Sequence, residues 1–164
     1  MKKQRAIDFF EAAKCAAIRR ENICDALEEL SYAGYVSGVS YDGSNAHGSD
    51  TFASVDNKLV SITALSLKRD ECNAVLDDAL EVLYGKKDKG GIALLMGYKY
   101  ADIVCAHFLD LRTWREIAQD MGCSHSWCMM LSREVMSFID RHGFAYVREA
   151  EYRKSNKSSH EHLY

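Results

Sequence analysis

The sequence predicts an all-α protein, a long helical hairpin or coiled-coil-like pair followed by a C-terminal tri-helical helix-turn-helix module. Three observations carry that prediction. Proline is absent from all 164 residues, where average usage of roughly 5% would place about eight. Proline breaks helix interiors and punctuates turns between strands, so its absence favours long uninterrupted helices. Two long glycine-free stretches, near residues 3–31 and 54–84, space apolar residues at helical intervals. Residues 111–144 then hold, in order, a cap, a short helix, a glycine, a second cap and a longer amphipathic stripe.

The first helix is read over residues 3 to 31. Phe10, Ala13, Ala17, Cys24 and Leu27 fall on one face, with Arg19, Arg20, Glu21, Glu28 and Glu29 elsewhere. Tyr32 to Ala53 is glycine- and serine-rich, with Asp42-Gly43 as a turn dipeptide, and reads as an irregular connection over 32–53. Val36, Val39 and Tyr41 around Ser-Gly leave a small β-hairpin as the other reading of residues 35–43. From Ser54, the residues Val55, Leu59, Ile62, Leu65, Cys72, Leu76, Ala79 and Leu83 form a heptad-like seam. Gly85 and the KKDKGG turn end it. Its partner is the first helix folded back antiparallel, or the same helix in a second subunit. Residues 1–88 are therefore read as a hairpin and oligomerisation region, and the chain as a homo-oligomer. Ile92 to Leu109 is expected to be one apolar helix, with Leu94, Leu95, Tyr98, Ile103, Val104 and Phe108 in the core.

The module occupies residues 89–144, with a tail over 145–164. Thr113 is placed to cap a short helix, and Glu116, three residues on, completes a capping box. Ile117, Ala118 and Met121 form the inner face of that helix. Gly122 stands where the turn needs a residue tolerant of left-handed backbone. Ser124 caps the second helix, whose inner stripe is Cys128, Leu131, Val135 and Phe138 or Ile139. His142-Gly143 closes it as a C-cap. Trp114 is read as a core anchor and Trp127 as partly core. Met129 is expected to point outward, with Met130 flanking the core.

The segment HFLDLRTWREIAQDMGCSHSWCMMLSREVMSFI resembles the region-4 helix-turn-helix of sigma-70 factors. More closely, it resembles phage and prophage transcriptional regulators that carry this module at their C-terminus. The residues shared are Trp114, Glu116, Ile117, Ala118, Gly122 and Ser124, with GSD at 48–50 and Leu94-Leu95 upstream. What the resemblance implies is a DNA-binding transcriptional regulator whose second helix enters the major groove of double-stranded DNA. By position the base-contacting residues are Ser124, His125, Ser126, Met129 and Arg133. Family modules carry Arg or Lys at several of these sites; here only Arg133 is basic. Residues 111–141 hold four arginines and four acids. The alternative is a protein-interaction adaptor that contacts RNA polymerase or another regulator through the same module.

The remaining features exclude other classes. With 21 Lys+Arg against 24 Asp+Glu the net charge is −3, so a nucleic-acid site must be a local patch. No apolar run reaches the roughly 18 residues of a membrane span. Asp8 and Glu11 interrupt any signal-peptide core, so a cytoplasmic location with six reduced cysteines is expected. Cys105, His107, Cys123, His125 and Cys128 lack a common zinc spacing, and no metal or cofactor is expected. Asp77-Asp78 reads as solvated surface and Lys89-Gly90-Gly91 lacks the full phosphate-loop pattern, so no catalytic residues are assigned and the chain is read as a non-enzyme. The tail, with Arg148, Arg153, Lys154 and Lys157, joins Lys86, Lys87 and Lys89 as the nearest basic surface.

Overall fold

A computed structural model describes residues 4–36, 50–87 and 89–151. Among the described residues it has seven helices, and its one β-bridge joins Lys86 to Lys89. The chain is all-α. Helix α1 spans Ala6–Val36 and α2 spans Asp50–Tyr84. Both outrun their expected limits, because residues 32–36 continue α1 and residues 50–53 open α2. Gly34 lies inside α1, where it costs about 1 kcal/mol relative to alanine and does not end so long a hydrogen-bond ladder. The strand hairpin considered for residues 35–43 begins with two helical residues. Its remainder, including Asp42-Gly43, lies outside the described residues, as do Arg153, Lys154 and Lys157.

Burial shows how the two helices run. On α1 the covered residues are Ala6, Phe10, Ala13, Ala16, Ala17 and Ile23; on α2 they are Cys72, Leu76, Ala79, Val82 and Leu83. The early half of α1 thus packs on the late half of α2, which is the geometry of an antiparallel pair. Arg20 and Cys24 share a shallow pocket with Arg69 and Asn73. Cys24, expected on the inner face, is exposed, and Ile23 takes that place. Among the described seam residues of α2, the fully buried ones begin at Cys72. Ile62 and Leu65 are half-buried and Leu59 is exposed.

Beyond α2 the chain builds a base under the pair. The expected helix over 92–109 is two helices, α3 (Ile92–Leu95) and α4 (Tyr98–Phe108). Gly97 separates them with φ 112°, a backbone state that favours glycine. Tyr98, expected in the core, is exposed; Ile103, Val104 and Phe108 are buried. Helix α5 (Trp114–Asp120), α6 (His125–His142) and α7 (Phe144–Glu149) follow. Phe10 lies against Phe108 with ring centres 5.7 Å apart, and Phe9 against Phe144 at 4.7 Å, so α1 is locked to α4 and α7.

The KKDKGG turn is a backbone-to-backbone junction. Gly90 N–H donates to the Ala150 carbonyl at 2.7 Å and Gly91 N–H to the Val147 carbonyl at 2.8 Å. A Cβ on Gly91, whose φ is 91°, would fall 2.4 Å from the Gly85 nitrogen, so only glycine fits there. Val147 of α7 is buried. Arg148 reaches Asp78 on α2 at 2.7 Å, so that aspartate, read as solvated surface, is half-exposed and also carries an ion pair to α7. The basic surface drawn from the sequence is also reduced. Arg148 is used by Asp78, Lys86 pairs with Glu81 and Lys89 with Glu151.

Candidate nucleic-acid interface

Helices α5 and α6 present their outer faces from one small core. Ile103 of α4, Ile117 and Ala118 of α5, and Cys128 and Leu131 of α6 form a buried cluster apart from the larger one. Trp114, Trp127, Met121 and Cys123 pack around it half-buried. Local chemistry sets each boundary. Thr113 Oγ1 accepts the Glu116 N–H, and the Glu116 carboxylate accepts the Thr113 N–H at 2.7 Å, a complete capping box. Those donors hold the Glu116 carboxyl below its usual range. Gly122 has φ 61°, with open space where a side chain would start. Ser124 Oγ accepts the Trp127 N–H at 3.2 Å and starts α6. Gly143, at φ 88°, ends it.

Trp114 is held by stacking. Its ring lies 3.8 Å from the His107 ring at an interplanar angle of 18°. His107 Nδ1 donates to the Arg112 carbonyl at 2.9 Å, which leaves Nε2 to accept from the Lys14 ammonium at 3.3 Å. Burial, chiefly, lowers the His107 pKa, with the Lys14 charge adding to it. The ring is therefore a neutral link from α1 to the start of α5. On the other side, Lys99 of α4 sits 4.1 Å above the Trp127 ring, joining α4 to the first turn of α6.

The outer face of α6 holds Ser126, Met130, Arg133 and Ser137, spaced by four, three and four residues and all exposed. His125 is exposed at its N-terminal end. Of the five residues assigned to base contact, His125, Ser126 and Arg133 are exposed, with no side-chain partner among the described residues. Ser124 is exposed, but its hydroxyl accepts the capping bond. Met129 is half-buried, whereas Met130 is 46% exposed. The two methionines therefore exchange the roles expected of them, because the buried stripe runs through Cys128, Leu131 and Val135, which turns Met130 outward.

The charges are arranged unevenly. Asp120 is paired with Arg112, Glu134 faces the Tyr100 hydroxyl and raises its pKa, and Asp140 accepts the Ala6 N–H at 2.7 Å. With Glu116 in the capping box, all four acids of residues 111–141 have donors. Arg115, Arg133 and Arg141 are exposed and have no carboxylate partner among the described residues. Sequence reasoning counted four arginines against four acids and missed this asymmetry. Only the Glu116 bond was signalled locally, by the Thr-x-x-Glu spacing. Comparison with protein-family models, curated protein sequences and solved structures finds no match to the chain. No described helix is long and apolar enough to cross a membrane.

Proposed function

We propose that the chain is a DNA-binding transcriptional regulator of phage or prophage type, reading double-stranded DNA with the α5–turn–α6 unit. The observation that supports it most is the exposed face of α6, where His125 and Ser126 stand at the capped N-terminal end and Arg133 two turns further along. Such a helix enters the major groove with that end toward the bases. Arg133 offers the bidentate donor pair that reads guanine, and His125 and Ser126 offer shorter donors and acceptors. Arg115 and Arg141 supply guanidinium groups for phosphates on either side. Ser124 serves chiefly as the cap that orders this end.

Selection of duplexes from a random library by the full-length chain, in low salt, tests the proposal. A recurring sequence is expected; failure to enrich any sequence overturns DNA reading. With an enriched duplex in hand, Arg133→Ala is expected to weaken binding by about 1–3 kcal/mol and relax preference at one base pair. Arg115→Ala is expected to weaken all sequences alike and lower the salt slope by about 1. A second reading, a protein adaptor that contacts RNA polymerase or another regulator through this face, draws on the exposure of Met130 beside Arg133, since methionine adapts to varied protein surfaces.

A further inference from the structure

Cys123 and Cys128 have their sulfurs 3.2 Å apart, within hydrogen-bonding range. No other pair of the six cysteines has such a contact among the described residues. The two differ in access. Cys123 lies in the turn before α6 and is half-exposed, while Cys128 is fully buried on the first turns of α6. We propose that Cys123 and Cys128 are a reversible oxidation site, closed to an intramolecular disulfide by low-molecular-weight disulfides.

The geometry carries this step by step. A disulfide needs sulfurs about 2.05 Å apart, so closure asks for a movement of roughly 1.2 Å. Gly122, next to Cys123, has nothing within 4 Å of where a Cβ would stand, so no neighbouring group fills that side of the turn. The accessible Cys123 loses its proton and attacks one sulfur of the incoming disulfide; the S–S bond breaks and a thiolate leaves, giving a mixed disulfide on Cys123. The Cys128 sulfur, already in contact, then attacks the Cys123 sulfur and expels the second small thiolate. Two protein thiols are oxidised, one small disulfide is reduced to two thiols, and the two protons released by the cysteines end on those thiols. Burial, followed by the neighbouring sulfur, pushes the Cys128 thiol up to about 11. It is thus a poor first attacker and acts only on a sulfur held against it. Closure ties the turn to α6 across Ser124, beside His125 and Ser126. The site stands whether or not that face reads DNA.

Trypsin makes the test direct, since cleavage after Arg115 and Arg133 leaves both cysteines in one peptide, Glu116–Arg133. The native full-length chain, with Cys15→Ser and Cys24→Ser to remove the exposed thiols, is incubated with oxidised glutathione. It is then alkylated, digested and weighed by mass spectrometry. The expected peptide has lost two hydrogens, carries neither alkyl groups nor glutathione, and regains two alkylation sites after reduction. In Cys128→Ser the same peptide is expected to stop at one glutathione on Cys123. A wild-type peptide that keeps both thiols alkylatable, or that retains glutathione on Cys123, overturns the proposal.

Discussion

The two ends of the α1–α2 pair are made of similar residues and meet opposite surroundings. At the base, Phe10, Ala13 and Ala17 lie against Leu76, Ala79 and Leu83, with α3, α4, α6 and α7 closing around them. In the arm, Leu59, Val60 and Leu67 are 62%, 68% and 61% exposed, and Tyr32 is 74% exposed. Apolar spacing does not distinguish the two. What does is the chain from Gly85 to Glu151, which among the described residues covers one end only. A heptad-like stripe thus marks which face can be buried, and chain topology decides how much of it is.

The largest expected effect separates the two ends directly. Phe10→Ala removes a fully buried ring that touches Phe108, and should lower unfolding stability by about 3–5 kcal/mol in urea titration. Leu67→Ala should stay within about 0.5 kcal/mol when measured on isolated chains. Similar losses for both would show that the arm is as tightly packed as the base. The second effect concerns what covers the arm. If the exposed stripe pairs with a second copy, light scattering at micromolar concentration should give at least twice the chain mass. Val60→Glu with Leu67→Glu should then return the monomer, without the stability loss of Phe10→Ala. A monomeric mass for the unaltered chain would break the oligomer reading.

A smaller effect probes the α5–α6 unit, which was the most legible part of the sequence. Thr113→Ala and Ser124→Ala should each lower stability by about 1 kcal/mol, and Ser124→Gly by only a few tenths, in the same titration. Caps, the Gly122 turn and the Gly143 stop could be read because each is a contract between residues three or four apart. Other features depend on distant segments and left no local trace. Arg148 finds Asp78 across 70 positions, and the Ala6 N–H finds Asp140 across 134. The break at Gly97 was missed because apolar residues continue on both sides of it. Within the site, the exposure of Met130 over Met129 depended on how α6 rotates onto Ile103 of α4, a contact no spacing announces.

The smallest effect is a pH dependence, and it joins the base to the α5–α6 unit. His107 is neutral in the fold, donating from Nδ1 to Arg112 and accepting from Lys14 at Nε2. Its neighbours are the Lys14 ammonium, the more distant Glu11 carboxylate, and the Trp114 and Phe108 rings. Burial lowers its pKa below the ordinary 6.5, so the unfolded chain takes up a proton at a pH where the folded chain does not. Stability contributed by the neutral ring is therefore present above 6.5 and is lost as pH falls below that value. Protonation would also set an imidazolium against the Lys14 ammonium, loosening α1 from the start of α5. Urea titrations of the unaltered chain should show stability declining just below pH 6.5, and His107→Gln, which has no proton to gain, should decline less over the same interval. Carboxylates with lowered pKa values, such as Glu116 and Glu151, affect both chains equally and cancel in the difference. Parallel pH profiles would show that the His107–Lys14 contact does not couple the two regions.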